Sequence, residues 1–271
     1  IGGKAKVFFK ANDLKELVNF LKKVNNQEKI FILGAGSNTL VKDSLFDGVV
    51  IKLSKNFNNI SLLREDVIIA GSAVSDKSLS DFAMNNNLSG FEFLSCIPGS
   101  IGGGIKMNAG CFGKEFKDIL LSVQAIDRLG NVKTILSKDI NFEYRKNDLP
   151  DDLIFLSASF KGIKGDKKKI SDQIDKFKKE KEKNQPTKIK TSGSTFKNPI
   201  SQTHKKVWEL IRESVPLDKN FGDAYISEKH CNFFVNKGNA KSKDLENLIN
   251  KIKDEVLSKT GIKLELEIQI I

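Results

Sequence analysis

Between Ile97 and Gly113 the chain reads IPGSIGGGIKMNAGCFG, so six of its twenty glycines fall within seventeen residues. Glycine loses more freedom on folding than any other residue, so a dense cluster marks backbone that approaches something closely or adopts φ > 0. The apolar residues set among the glycines (Ile97, Ile101, Ile105, Met107 and Phe112) exclude a flexible linker, which would be polar. Two readings of the local run remain. It is a loop whose bare N–H groups face a phosphate or a flat cofactor, or a set of tight turns between buried strands.

The surrounding sequence alternates strand and helix signals. Ala5–Lys10 reads as a strand, and Asn12–Val24 as a helix capped by Asn12 or Asp13, with Leu14, Leu17, Val18 and Leu21 on one face. Ile30–Leu33, Val49–Leu53 and Val67–Gly71 read as strands and Ser78–Asn86 as a helix. From Leu120 to Phe160 the pattern is β-rich: Val123–Asp127, a turn at Leu129–Asn131, Val132–Leu136 and Leu153–Phe160. A Lys/Glu-rich helix, Lys169–Glu182, then leads to Asn184-Gln-Pro186, a boundary signal. Beyond it lie helices near His204–Glu213 and Ser242–Ser258, strand Asn232–Val235, and Lys263–Ile271 (KLELEIQII), whose alternation predicts a strand. The fold class expected is α+β, with a mixed N-terminal part and a smaller C-terminal one.

Composition narrows the function. The chain has 45 basic against 34 acidic residues, yet only Arg64, Arg128, Arg145 and Arg212 among the basic ones are arginine. Nucleic-acid interfaces rely on arginine for bidentate contacts, so that class is disfavoured. Many lysines lie in the amphipathic run from Lys161 to Lys190, the pattern of a solvated helix face. Cys96, Cys111 and Cys231 form no CxxC, and His204 and His230 stand 26 residues apart. No metal site is expected, and the thiols read as reduced and mostly buried in a cytoplasmic protein. No apolar run approaches the ~20 residues of a membrane span.

Three further motifs carry chemistry. Gly34-Ala35-Gly36-Ser37-Asn38 follows a strand, but Thr39 stands where a dinucleotide fingerprint needs its third glycine and no acid ends the next strand, so a nicotinamide site of that kind is disfavoured. Its amides, with the Ser37 and Asn38 side chains, remain suited to a pyrophosphate. Thr191-Ser-Gly-Ser-Thr-Phe-Lys-Asn-Pro199 packs hydroxyls, a cation and an amide into nine residues. It is an Asn-Pro turn or an anion- and carbonyl-binding loop. Tyr144-Arg145 ends an acidic segment, where Arg145 is a surface ion pair or a carboxylate clamp. Glu265 and Glu267 share one face of the terminal strand.

Taken together these blocks resemble the UDP-N-acetylenolpyruvoylglucosamine reductases. The resemblance rests on Ile1-Gly-Gly-Lys-Ala5, ILGAGSNTLV (32–41), GFEFLSCIPGSIGGGIKMNAGCFG (90–113), Tyr144-Arg145, TSGSTFKNP (191–199), ISEKHCNFFVN (226–236) and LELEI (264–268). It implies the FAD-binding fold of the vanillyl-alcohol-oxidase type. An FAD-binding domain over 1–165, in subdomains of approximately 1–53 and 54–165, would precede a substrate-binding domain over 166–262. A terminal strand over 263–271 would return to the FAD-binding domain near the active site.

The resemblance further implies NADPH-dependent, FAD-mediated reduction of UDP-N-acetylglucosamine enolpyruvyl ether in peptidoglycan precursor synthesis. Another oxidase or dehydrogenase of the same fold, acting on a sugar or hydroxy acid, is the alternative. Carried over residue by residue, Arg145, Ser194 and Glu267 match the catalytic positions, with Ser194 the proton donor; Glu267 is favoured over Glu265 by its place in the motif. Gly34, Ala35, Gly36, Ser37 and Asn38 are expected at the FAD pyrophosphate. Pro98, Gly99, Ser100, Gly102, Gly103, Asn108, Ala109 and Gly110 are expected beside the cofactor, and Tyr144, Lys197 and Asn198 at the substrate. No tyrosine-bearing insertion is present, so the chain resembles the compact subtype. The expected partners are small molecules, without nucleic acid or membrane.

Overall fold

The computed structural model describes residues 1–186 and 189–271; the lysine-rich run Lys161 to Lys190 includes Thr187 and Lys188, which lie outside the described residues. The chain divides into two compact units, one of Lys6–Ala35 and Asp47–Lys181, the other of Ile1–Ala5, Gly36–Phe46 and Glu182–Ile271.

The first unit is built on two larger sheets, of three and five strands, with short two-stranded pairs beside them. Phe46–Leu53 lies between Ala5–Ala11 and Ile30–Ile32, and pairs in parallel with the latter. Helix Leu14–Leu21 is shorter than its apolar pattern suggests. It is capped by Asp13, which accepts from Glu16 N at 2.7 Å, while the Glu16 carboxylate accepts from Asn12 N at 2.7 Å. The Asp13 cap satisfies one of the donors a helix start leaves open, and Glu16 ties down the residue that precedes the cap. The larger sheet is antiparallel, in the order Val132–Leu136, Leu120–Ile126, Ile154–Lys161, Val67–Gly71, Ile60–Arg64. Its inward residues, with Phe91, Phe93, Phe116 and Phe160, form the main core, and helix Asp76–Asn85 packs there through Leu79 and Ala83.

The glycine run is not loop throughout: Ile101–Lys106 is a short helix. Glycine is a poor helix former, so packing must decide it. Ile101 and Ile105 are wholly buried, and a Cβ on Gly104 would lie 2.3 Å from the Phe116 ring. Only a bare backbone lets that turn sit on the phenylalanine.

The second unit has a four-stranded antiparallel sheet, Thr191–Ser194, Phe233–Asn236, Ala224–Ile226 and Asn220–Phe221. Helices Val207–Ser214 and Ser242–Thr260 complete its core, which also takes Leu40, Leu264 and Ile268. Gly261, at φ +72°, ends the long helix, the usual left-handed stop.

The terminal segment departs from expectation. Instead of a strand from Lys263, there is a bridge between Leu266 and Phe196 and then a strand only at Gln269–Ile270, parallel to Thr39–Leu40. The reason is a change of partner. Glu267 N donates to Thr195 O at 2.8 Å and Gln269 N to Asn38 O at 2.9 Å, so the chain bends between the two. The units also divide the chain differently from the boundaries read in the sequence. Helix Lys167–Asn184 belongs to the first unit as far as Lys181, with Phe177 stacked on Phe112 at 4.2 Å. Gly36–Phe46 belongs to the second, where Ser242 N donates to Asp43 Oδ2 at 2.7 Å and Asp43 N to Ser242 Oγ at 2.9 Å.

Candidate active site

In the first unit the expected cofactor residues gather around the glycine run. Gly34 follows strand Ile30–Ile32, and its carbonyl accepts from Lys52 Nζ at 3.2 Å. A Cβ on Gly34 would come within 2.8 Å of Ser100 Oγ, so only the bare backbone of the first turn lets it sit against the Ser100 hydroxyl of the run. Pro98 and Gly99 precede the Ser75–Ser100 bridge, and Gly102 N donates to Ser72 O at 3.0 Å. The buried hydroxyls of Ser72 and Ser100 have no partner among the described residues. Gly103 lies on the same helical turn, and Ala35 ends this segment of the unit.

Directly beneath Gly99 sits a residue the sequence did not single out. Asp76 is wholly buried, neither of its carboxyl oxygens has a partner among the described residues, and Oδ2 lies 2.4 Å from where a Gly99 Cβ would be. Burial pushes this carboxyl up to about 8, because an ion without water or a counter-charge is strongly disfavoured. Burial likewise pushes the Cys111 thiol, which donates to Phe93 O at 3.2 Å, up to about 12.

At the end of the run, Asn108 is wholly buried, with φ +41°. Its amide donates to Glu115 Oε2 at 2.9 Å and Glu143 O at 3.0 Å, and its oxygen accepts from Lys117 N at 3.1 Å. Ala109 N donates to Gly104 O at 2.8 Å, and Gly110 pairs with Glu115. Tyr144 and Arg145 form the turn between Phe142–Glu143 and Lys146–Asn147. Arg145 has φ +58°, lies 4.9 Å above the Tyr144 ring, and donates from Nη2 to Gly110 O at 2.9 Å. The structure therefore brings Arg145 against the glycine run, a contact the sequence could not show.

In the second unit Gly36, Ser37 and Asn38 lead into strand Thr39–Leu40, and Asn38 Nδ2 donates to Glu267 O at 2.9 Å. Ser194 ends the strand Thr191–Ser194, after Gly193 at φ +83°. The next residue, Thr195, accepts from Glu267 N, so Asn38, the Ser194 segment and Glu267 are tied together. Asn232 fixes this segment: its side chain accepts from Phe196 N at 3.0 Å and donates to Phe196 O at 2.9 Å. Lys197 lies 4.0 Å from Glu265, whose side chain is 72% exposed. Glu267 is only partly exposed, so the bend separates two glutamates that alternation alone makes equivalent. Asn198 Oδ1 accepts from Val207 N at 3.0 Å, at the start of a helix.

Among the described residues no cluster of His, Cys, Asp or Glu is placed to hold a metal ion, and no helix is long and apolar enough to cross a membrane.

Comparison with known proteins gives a consistent result. Residues 5–136 match the family described as FAD binding domain, and residues 185–271 match that of the UDP-N-acetylenolpyruvoylglucosamine reductase C-terminal domain. The UDP-N-acetylenolpyruvoylglucosamine reductase of Pelagibacter ubique is 65% identical over 271 residues, all of this chain and 90% of the relative. That of Rickettsia typhi is 45% identical over 269 residues, covering 99% of this chain and 90% of the relative. Among solved structures, the UDP-N-acetylenolpyruvylglucosamine reductase of Thermus caldophilus superposes with a TM-score of 0.83 at 30% identity, over 97% of this chain and 91% of that one.

Proposed function

The chain belongs to the UDP-N-acetylenolpyruvoylglucosamine reductase family, and on that premise we propose which of its residues serve the reaction. The protein is an FAD-containing oxidoreductase that reduces the enolpyruvyl ether of UDP-N-acetylglucosamine to UDP-N-acetylmuramate, a step of peptidoglycan precursor synthesis. NADPH is the reductant, and its partners are these small molecules. A nucleotide-sugar substrate and a pyridine nucleotide are cytoplasmic metabolites, which supports a cytoplasmic setting.

The observation that carries the reading is the contact of Gly34 with Ser100, where bare backbone and an unpartnered hydroxyl meet. Such a cradle suits a dinucleotide pyrophosphate, so the residues present fit FAD. Gly34, Ala35, Gly36, Ser37 and Asn38 would hold the pyrophosphate, and Pro98 to Gly110 would flank the rest. Bound FAD supplies the two-electron chemistry that passes hydride from NADPH to the enolpyruvyl carbon.

The chain's own residues handle charge and protons. Hydride addition drives negative charge toward the substrate carboxylate, and Arg145 meets it as a fixed cation. Ser194 delivers the proton to the carbon that bears the ether oxygen, and Glu267 supports that end of the reaction; the link from Thr195 O to Glu267 N supports assigning them to one task. Tyr144, Lys197 and Asn198 contact the substrate.

The first test is the absorbance of the purified protein: an oxidised flavin band that no reconstitution with FAD can produce would refute the reading of the cradle. The second is Ser194→Ala, expected to retain flavin and reduction by NADPH while reoxidation by the UDP-sugar slows by roughly 10²–10⁴-fold. Unchanged reoxidation would remove Ser194 from the mechanism.

A further inference from the structure

Arg145 stands at a hairpin turn with φ +58°, a conformation that residues with a side chain adopt at a cost. Something must hold both its backbone and its charged head. Among its contacts, the head reaches two groups of one neighbouring turn. Nη2 donates to Gly110 O at 2.9 Å, and Nη1 lies 3.9 Å from Glu115 Oε1. Gly110 and Glu115 face each other across the pair Gly110–Cys111 and Lys114–Glu115. At 3.9 Å the carboxylate attracts the guanidinium without a hydrogen bond of ordinary length, and both side chains are largely buried, at 17% and 21% exposure, where screening is weak.

Glu115 is itself fixed. Its Oε2 accepts from Asn108 Nδ2 at 2.9 Å and lies 2.9 Å from Lys117 Nζ. The same Asn108 nitrogen donates to Glu143 O at 3.0 Å, two residues before Arg145 in the hairpin. Asn108 is wholly buried and holds a left-handed backbone, so it cannot turn away to solvent. One amide thus braces the strand that carries Arg145 and the carboxylate that steers its head.

We propose that Glu115, clamped by Asn108, is a positioning residue for Arg145 and sets where its guanidinium meets the substrate carboxylate. This rests on the reading of Arg145 given above. The closing experiment compares Glu115→Gln, Glu115→Asp, Arg145→Ala and the double variant Arg145→Ala/Glu115→Gln in the flavin-loaded protein. Flavin content, thermal midpoint, reduction by NADPH and reoxidation by the UDP-sugar are measured separately.

Glu115→Gln is expected to leave flavin content, thermal midpoint and reduction by NADPH near their original values. It slows reoxidation roughly 10- to 100-fold, the scale of a displaced catalytic group, and Glu115→Asp, which keeps the charge, recovers part of that loss. In the Arg145→Ala background the second substitution adds nothing, since Glu115 acts through Arg145. If Arg145→Ala is impaired while Glu115→Gln reoxidises normally, the inference falls and the Arg145 reading stands. If Arg145→Ala itself reoxidises normally, the Arg145 reading falls. Equal losses in both half-reactions with a lowered thermal midpoint, or additive effects in the double variant, would assign Glu115 a merely structural or independent role and overturn the inference.

Discussion

Asp76 shows how much one side chain can depend on its surroundings. With both oxygens sealed and without a partner among the described residues, the carboxyl keeps its proton up to about 8, against 3.8 for the free group. Between those values the native state binds more protons than the unfolded state, so stability is full at low pH and falls as pH rises toward 8. Asp76→Asn removes this dependence. Its thermal midpoint should gain on the parent protein between pH 5 and pH 8, and an offset constant across that range would refute the argument. Gly104→Ala is expected to destabilise by about 1–3 kcal/mol, as overpacking does, because the added methyl meets the buried Phe116 ring; urea unfolding reads it. Neither property was visible beforehand. In the sequence Asp76 lies just ahead of the helix read at Ser78–Asn86, and only the three-dimensional neighbours of Gly99 and Gly104 reveal what presses on them.

Elements whose own residues specify them were legible. The helix started by Asp13, the strand Val67–Gly71, the Leu129–Asn131 turn and the helix beginning at Ser242 all follow from periodicity and capping. Two elements set by distant partners were not. The glycine run contains a helix because Ile101 and Ile105 are buried beneath it, against the propensity of its glycines. The alternating tail is mostly not a strand, because its amides change partner at Glu267. The loop that carries Ser194 likewise depends on a partner far along the chain: Asn232 answers both backbone groups of Phe196. Asn232→Ala leaves those buried groups unpaired and is expected to cost about 1–3 kcal/mol. An unfolding midpoint unchanged in urea would show that the loop does not need it.

At the scale of the whole molecule, the resemblance carried by ordered motifs identified family and cofactor, whereas the division into units did not follow the linear order that the sequence suggests. The segment Gly36–Phe46 leaves one unit to join the other, contributing Leu40 to its core and Asp43 to its reciprocal pair with Ser242. A fragment of residues 182–271 alone is therefore expected to lack cooperative urea unfolding, which the peptide 36–46 added in trans would partly restore. A fragment with a sharp transition and no response to the peptide would overturn this.

The same excursion has a consequence for synthesis on the ribosome. Thr39–Leu40 pairs with Gln269–Ile270, strands made about 230 residues apart, which at ~5–20 residues per second is a delay of roughly 10–45 s. Throughout that interval the first unit can be complete while an eleven-residue stretch looped out of it waits with the core residue Leu40 uncovered. The segment that follows Gly34 thus reaches its final pairing only once Gln269 and Ile270 have been made.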